Sequence, residues 1–118
     1  MKTLRLALFT GLTVVVLAAA PDLTGQWSLE ANFDDSNTPG GGFDCAFKQE
    51  GEQLTGTCAD GAAPVTGELK GQNVTWKMKA GVTRETITYT GLVDDAGTSM
   101  KGRFTMADKG GSFTASKR

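Results

Sequence analysis

The sequence predicts an all-β domain, an eight-stranded antiparallel up-and-down barrel, and three observations carry that prediction. Apolar and polar residues alternate with a period of two almost everywhere after Leu23. Thr, Val and aromatic residues are frequent while helix start signals are missing. Clusters of Gly, Asp, Asn and Pro break the pattern at hairpin spacing. A period of two sends alternate side chains to opposite faces, so every strand has one dry side and one wet side. Closing such strands on themselves removes the unpaired edges that an open sheet exposes. A two-sheet sandwich satisfies the same alternation and is the competing arrangement.

The opening residues do not belong to this pattern. Lys2 and Arg5 give a short positive region, Leu6 to Leu17 is an apolar run without a charge, and Ala18 to Ala20 are small. That is the layout of an export signal, and the run is too short to span a bilayer. Cleavage after Ala18 keeps Pro21 away from the scissile bond, which gives a signal peptide over 1–18 and one β-barrel domain over 19–118. No Cys follows the apolar run, which argues against a lipid anchor, and no membrane span is expected in the mature protein. The expected location is periplasmic or secreted.

Strands are then expected at 25–33, 43–50, 53–58, 64–70, 73–79, 84–93, 98–107 and 111–117. Partners across a two-residue turn keep a constant sum of residue numbers, which tests the registers. A Gly51-Glu52 turn sets Cys45 opposite Cys58 and Phe47 opposite Gly56. Two thiols facing each other in an exported chain predict a disulfide. A Gly71-Gln72 turn sets Gly67 opposite Trp76 and Leu69 opposite Val74. Pairing Val93 with Met100 brings Tyr89 onto Phe104, and a Lys109-Gly110 turn brings Met106 onto Phe113. These registers agree on one apolar face, which carries Trp27, Leu29, Phe33, Phe47, Leu54, Val65, Trp76, Met78, Ile87, Tyr89, Phe104, Met106 and Phe113 among others. Five short steps of an apolar residue, Thr or Lys, and Gly, such as Leu54-Thr55-Gly56 and Tyr89-Thr90-Gly91, place the apolar residue and the Gly on that side.

Composition excludes several functions. Without Lys2 and Arg5 the 12 basic residues fall to 10 against 13 acidic ones, a net charge of −3, and a nucleic-acid partner is not expected. There is no His and both Cys are assigned to the disulfide, so the chain is not expected to be an enzyme, and neither a cofactor nor a metal is expected. Asp34, Asp35, Asn37 and Asp44 surround Pro39-Gly40-Gly41-Gly42 in the longest irregular stretch, which reads as an acidic loop over a barrel mouth. A small hydrophobic ligand is the expected partner, lined by Trp27, Phe47, Trp76, Tyr89 and Phe104. Glu85 falls on the dry face by parity near a strand end, where it could orient a ligand head group, and Gln49 is a second polar candidate.

Gly25-Gln26-Trp27 is a G-x-W at the start of the first strand, and in this it resembles the calycin barrels, lipocalins in particular. The mature chain as a whole is similar to small secreted bacterial lipocalin-like domains of unassigned function. The resemblance implies that Trp27 closes one end of the barrel and that a basic side chain from the last strand, Lys117 or Arg118, lies across it. Leu23 to Trp27 and Leu54 to Thr57 also look like opening strands of avidin, although Leu29 stands where avidin's polar side chain would be. The start is similar, too, to small periplasmic inhibitors of bacterial metalloproteases, which act through an N-terminal arm. Only Ala19 to Asp22 precede the first strand here. Envelope interaction or protease inhibition through loops is the alternative function, with no protein partner identified.

Overall fold

A computed structural model describes residues 21–79 and 85–118. The described strands are β1 (Gly25–Phe33), β2 (Gly41–Glu50), β3 (Gln53–Cys58), β4 (Ala63–Lys70), β5 (Asn73–Lys79), β6 (Thr86–Val93), β7 (Ser99–Met106) and β8 (Lys109–Lys117). Each pairs antiparallel with its neighbours in sequence, and β1 pairs with β8, from Trp27 opposite Lys117 to Phe33 opposite Gly111. That last ladder decides between the two expected arrangements: the sheet is a closed barrel. The proposed signal peptide lies outside the described residues, as does Arg84 at the expected start of the sixth strand. Among the described residues no helix is long and apolar enough to cross a membrane.

Burial follows the alternation. Trp27, Leu29, Cys45, Phe47, Leu54, Cys58, Val65, Leu69, Val74, Trp76, Tyr89, Phe104 and Phe113 are buried, while Thr, Lys and Glu of the same strands face outward. The core also takes in Leu23, the apolar residue of the first of the five short steps, and Ala63, which the strand pattern did not assign to it. Phe33 and Ile87 are only partly buried, and Met106 is also intermediate.

Most registers match the expectation. Cys45 faces Cys58 with Cα atoms 4.0 Å apart and a disulfide between them. Gly67 faces Trp76, and a side chain there would put a Cβ 2.6 Å from Trp76 Cα, so the close approach of β4 and β5 requires glycine. The last hairpin is a correction. Its turn is Ala107-Asp108, not Lys109-Gly110, so Met106 faces Lys109 and Phe113 faces Gly102. Ala107 takes φ 54° in this turn, the left-handed region that glycine would ordinarily fill. The slip is an even number of residues, which leaves every inward side chain of β8 inward. The correct register also sets Phe104 over Gly111, so glycine lies opposite an aromatic ring in this hairpin as it does at Phe47 and Trp76.

Candidate functional site: a ring-filled interior with one fastened end

Seven of the inward side chains form a continuous series of aromatic contacts. Trp27 meets Phe47 at 6.2 Å between centroids, and Phe47 meets Trp76 edge-on at 5.3 Å. Trp76 stacks on Tyr89 at 4.8 Å with planes 11° apart, and Phe113 stands edge-on to both at 5.3 Å. Tyr89 then meets Phe104 at 5.7 Å, and Phe104 meets Phe33 edge-on at 5.1 Å. All five aromatic residues expected to line a ligand, Trp27, Phe47, Trp76, Tyr89 and Phe104, are therefore brought together, chiefly as one another's packing partners. An eight-stranded barrel is wide enough either to be filled by its own side chains or to hold one small ligand.

The two ends of the series differ. At the first, residues 21–24 turn across the barrel and Leu23 is fully buried. Its N–H donates to Gln49 Oε1 at 2.8 Å, and Gln49 Nε2 donates to the Pro21 carbonyl at 3.1 Å. Trp27 Nε1 donates to the Leu23 carbonyl at 2.9 Å. Lys117 Nζ donates to the Asp22 carbonyl at 2.9 Å and lies 6.0 Å from the Trp27 ring centre. Lys117 is thus the basic residue across the tryptophan, whereas Arg118 pairs with Asp44 at 2.7 Å. Gln49, a polar candidate for a ligand, is occupied as the fastener of this end.

At the other end Phe33, Phe43, Ala31 and Ile87 are partly exposed against the core. Phe43 reaches Tyr89 at 6.5 Å, the longest of these ring separations. The sequence reading missed Phe43 as a lining residue, although its spacing from Cys45 and Phe47 places it on the same face. Glu85 stands just ahead of β6 at this end and is exposed, at the strand end where it was expected, with the strand itself beginning one residue later at Thr86. It belongs to the rim.

The loop beside this mouth is tied down by its acids. Asp34 makes a two-pronged ion pair with Arg103, which holds its carboxyl below the usual carboxylate range. Asp35 accepts from Thr38 Oγ1 at 2.7 Å and from the Asn37 N–H at 2.8 Å, and these bonds lower it as well. Lys109 bonds Thr38 at 2.9 Å and lies 6.0 Å from the Phe33 ring centre. Among the described residues no three acidic, Cys or His side chains gather as a metal site. Two grooves of about 520 and 560 Å³ open at the surface, the first between Ser28, Leu29, Glu30, Phe43, Asp44 and Asp60, the second between Pro64, Thr66, Lys77, Met78 and Thr86. The five lining aromatics border neither.

Burial pushes the Tyr89 hydroxyl up to about 12, so it stays protonated at any physiological pH. Among the described residues no polar or charged residue is buried, so the lining they form carries no charge. What such a lining can do chemically is bind apolar surface and offer the donors of Trp76 and Tyr89.

No protein-family model and no curated protein matches the chain. Among solved structures the fold is similar to that of a redesigned β-barrel, mFAP1, bound to DFHBI, with a TM-score of 0.57 and 16% identity over 81% of this chain and 94% of that one. At that identity the likeness is one of fold.

Proposed function

We propose that this is an exported, lipocalin-like binding barrel, not a catalyst, that takes a small hydrophobic molecule into its interior through the Phe33, Phe43 and Ile87 end. The observation that carries the reading is the asymmetry of the ring series: one end is locked by hydrogen bonds, the other is held by partly exposed apolar contacts with Lys109 over the Phe33 ring. A ligand gains room when Phe43 and its neighbours swing outward, which breaks no hydrogen bond of those side chains. Lys117 across Trp27 supports the calycin comparison, and the designed barrel mFAP1, of similar fold, holds DFHBI. The disulfide is consistent with an oxidising compartment. Capture of a protein partner through the 34–40 loop has less support, because Asp34 and Asp35 are already engaged by Arg103 and Lys109.

The test is titration with N-phenylnaphthylamine, an uncharged dye whose emission rises in apolar surroundings. Saturable enhancement is expected, with affinity altered by Phe43→Ala at the mouth and unaltered by Leu92→Ser on the outer wall. No enhancement, or equal sensitivity to both substitutions, would sink the reading.

A further inference from the structure

Among the described residues one buried side-chain polar atom is left unsatisfied by its surroundings. Trp76 is fully buried, and among the described residues its Nε1–H has no hydrogen-bond partner. The contrast with Trp27 is internal to the molecule, since that indole donates to the Leu23 carbonyl. A buried N–H without an acceptor is costly, and proteins seldom leave one so. The Trp76 ring is packed by Tyr89, Phe47 and Phe113, of which only Tyr89 carries a polar side-chain atom, fewer than the two to four polar partners a buried water needs. Its donor therefore gives an otherwise greasy interior a preferred chemistry.

We propose that the interior site selects an uncharged apolar molecule carrying a carbonyl-type oxygen, which accepts the hydrogen bond of Trp76 Nε1–H. This rests on the reading that the interior admits apolar molecules at all. A pure hydrocarbon would fill space but leave the donor unpaired. A carboxylate would lose its hydration for neutral donors in a core that has no buried cation among the described residues, which is unfavourable. Among the described residues Arg103 and Lys109 at the mouth are exposed and already paired with Asp34 and Asp35, and Lys79 at the end of β5 is exposed on the outward face beside buried Met78. A cationic ligand would meet the positive end of the indole N–H dipole. A neutral ketone, ester or amide is left, with an apolar body to lie against the rings.

Three probes of matched size separate these cases: methyl naphthyl ketone, isopropenylnaphthalene, in which a methylene replaces the oxygen, and naphthoate. They are titrated into isotope-labelled protein while the two indole N–H resonances are followed. The ketone is expected to bind about tenfold or more tighter than the hydrocarbon, the difference made by satisfying a buried donor. The Trp76 proton should move downfield while the Trp27 proton stays, and Trp76→Phe should abolish the ketone's preference. The spectra of the unaltered protein decide the matter even if that variant folds poorly. Equal binding of ketone and hydrocarbon with the Trp76 proton unmoved would overturn the acceptor inference and leave the apolar site standing. Tightest binding of naphthoate would overturn the requirement for neutrality. Saturation by none of the three would overturn both the inference and the reading beneath it.

Discussion

Trp27 and Phe43 both extend the same series of rings, one toward each end of the barrel, and they differ in what holds them. Trp27 is fully buried, donates to the Leu23 carbonyl and has Lys117 over its face. Phe43 is partly exposed and leans on Tyr89 by dispersion alone. A directional bond fixes a ring in one place, whereas dispersion contacts are individually weak and tolerate sliding. The difference gives the barrel a fixed floor and a yielding mouth, although both are built from aromatic side chains.

The strongest way to break the comparison is to remove each ring in turn. Trp27→Ala should cost about 3–5 kcal/mol in urea denaturation, as for a large buried ring, and Phe43→Ala about 1 kcal/mol. Similar losses at the two sites would mean that the ends are equally rigid. Next comes the disulfide, which joins β2 to β3 at Cys45, the partner of Trp27 across the β1 ladder. Its 13-residue separation is short, so reduction should cost roughly 2–3 kcal/mol and lower Tm measurably. An unchanged Tm would show that the barrel is held without it.

The smallest effect separates the two ends by acid titration. Asp94, near the floor, is lowered by the backbone N–H groups of Thr98 and Ser99, while Asp34, at the mouth, is lowered by Arg103. A carboxyl whose folded pKa is depressed contributes stability that is fully present above its unfolded value of about 3.9 and is lost as pH falls through the folded one. Below about pH 4, both Asp94→Asn and Asp34→Asn should therefore flatten the decline in Tm. Added salt should erase the Asp34 contribution more than that of Asp94, because an exposed ion pair is screened. An equal response to salt would count against that assignment of causes.

How much of this was legible in the sequence depended on what fixed each register. Gly51-Glu52 and Gly71-Gln72 supply residues suited to tight hairpins, and Gly51 and Gly71 indeed adopt φ 62° and 63°, so the sums through Cys58 and Trp76 came out right. The last hairpin turns on Ala107, which carries no turn signal, while Lys109-Gly110-Gly111 advertises a turn that β8 does not use. The lining survived because alternation tolerates an even slip. What alternation could not show was tertiary: that Leu23 would fold back as a floor, that Gln49 would be its fastener, or that Trp76 would be left without an acceptor while Trp27 found one.

The floor is made where the chain begins and ends its described course. Pro21 and Asp22 lie beside Lys117, and the Arg118 N–H donates to the Gln26 carbonyl. Both attachment points therefore sit on the side away from Phe33 and Phe43. A tether, fusion partner or sensor chip attached beside Asp22 or Arg118 would hold the barrel with its mouth directed outward.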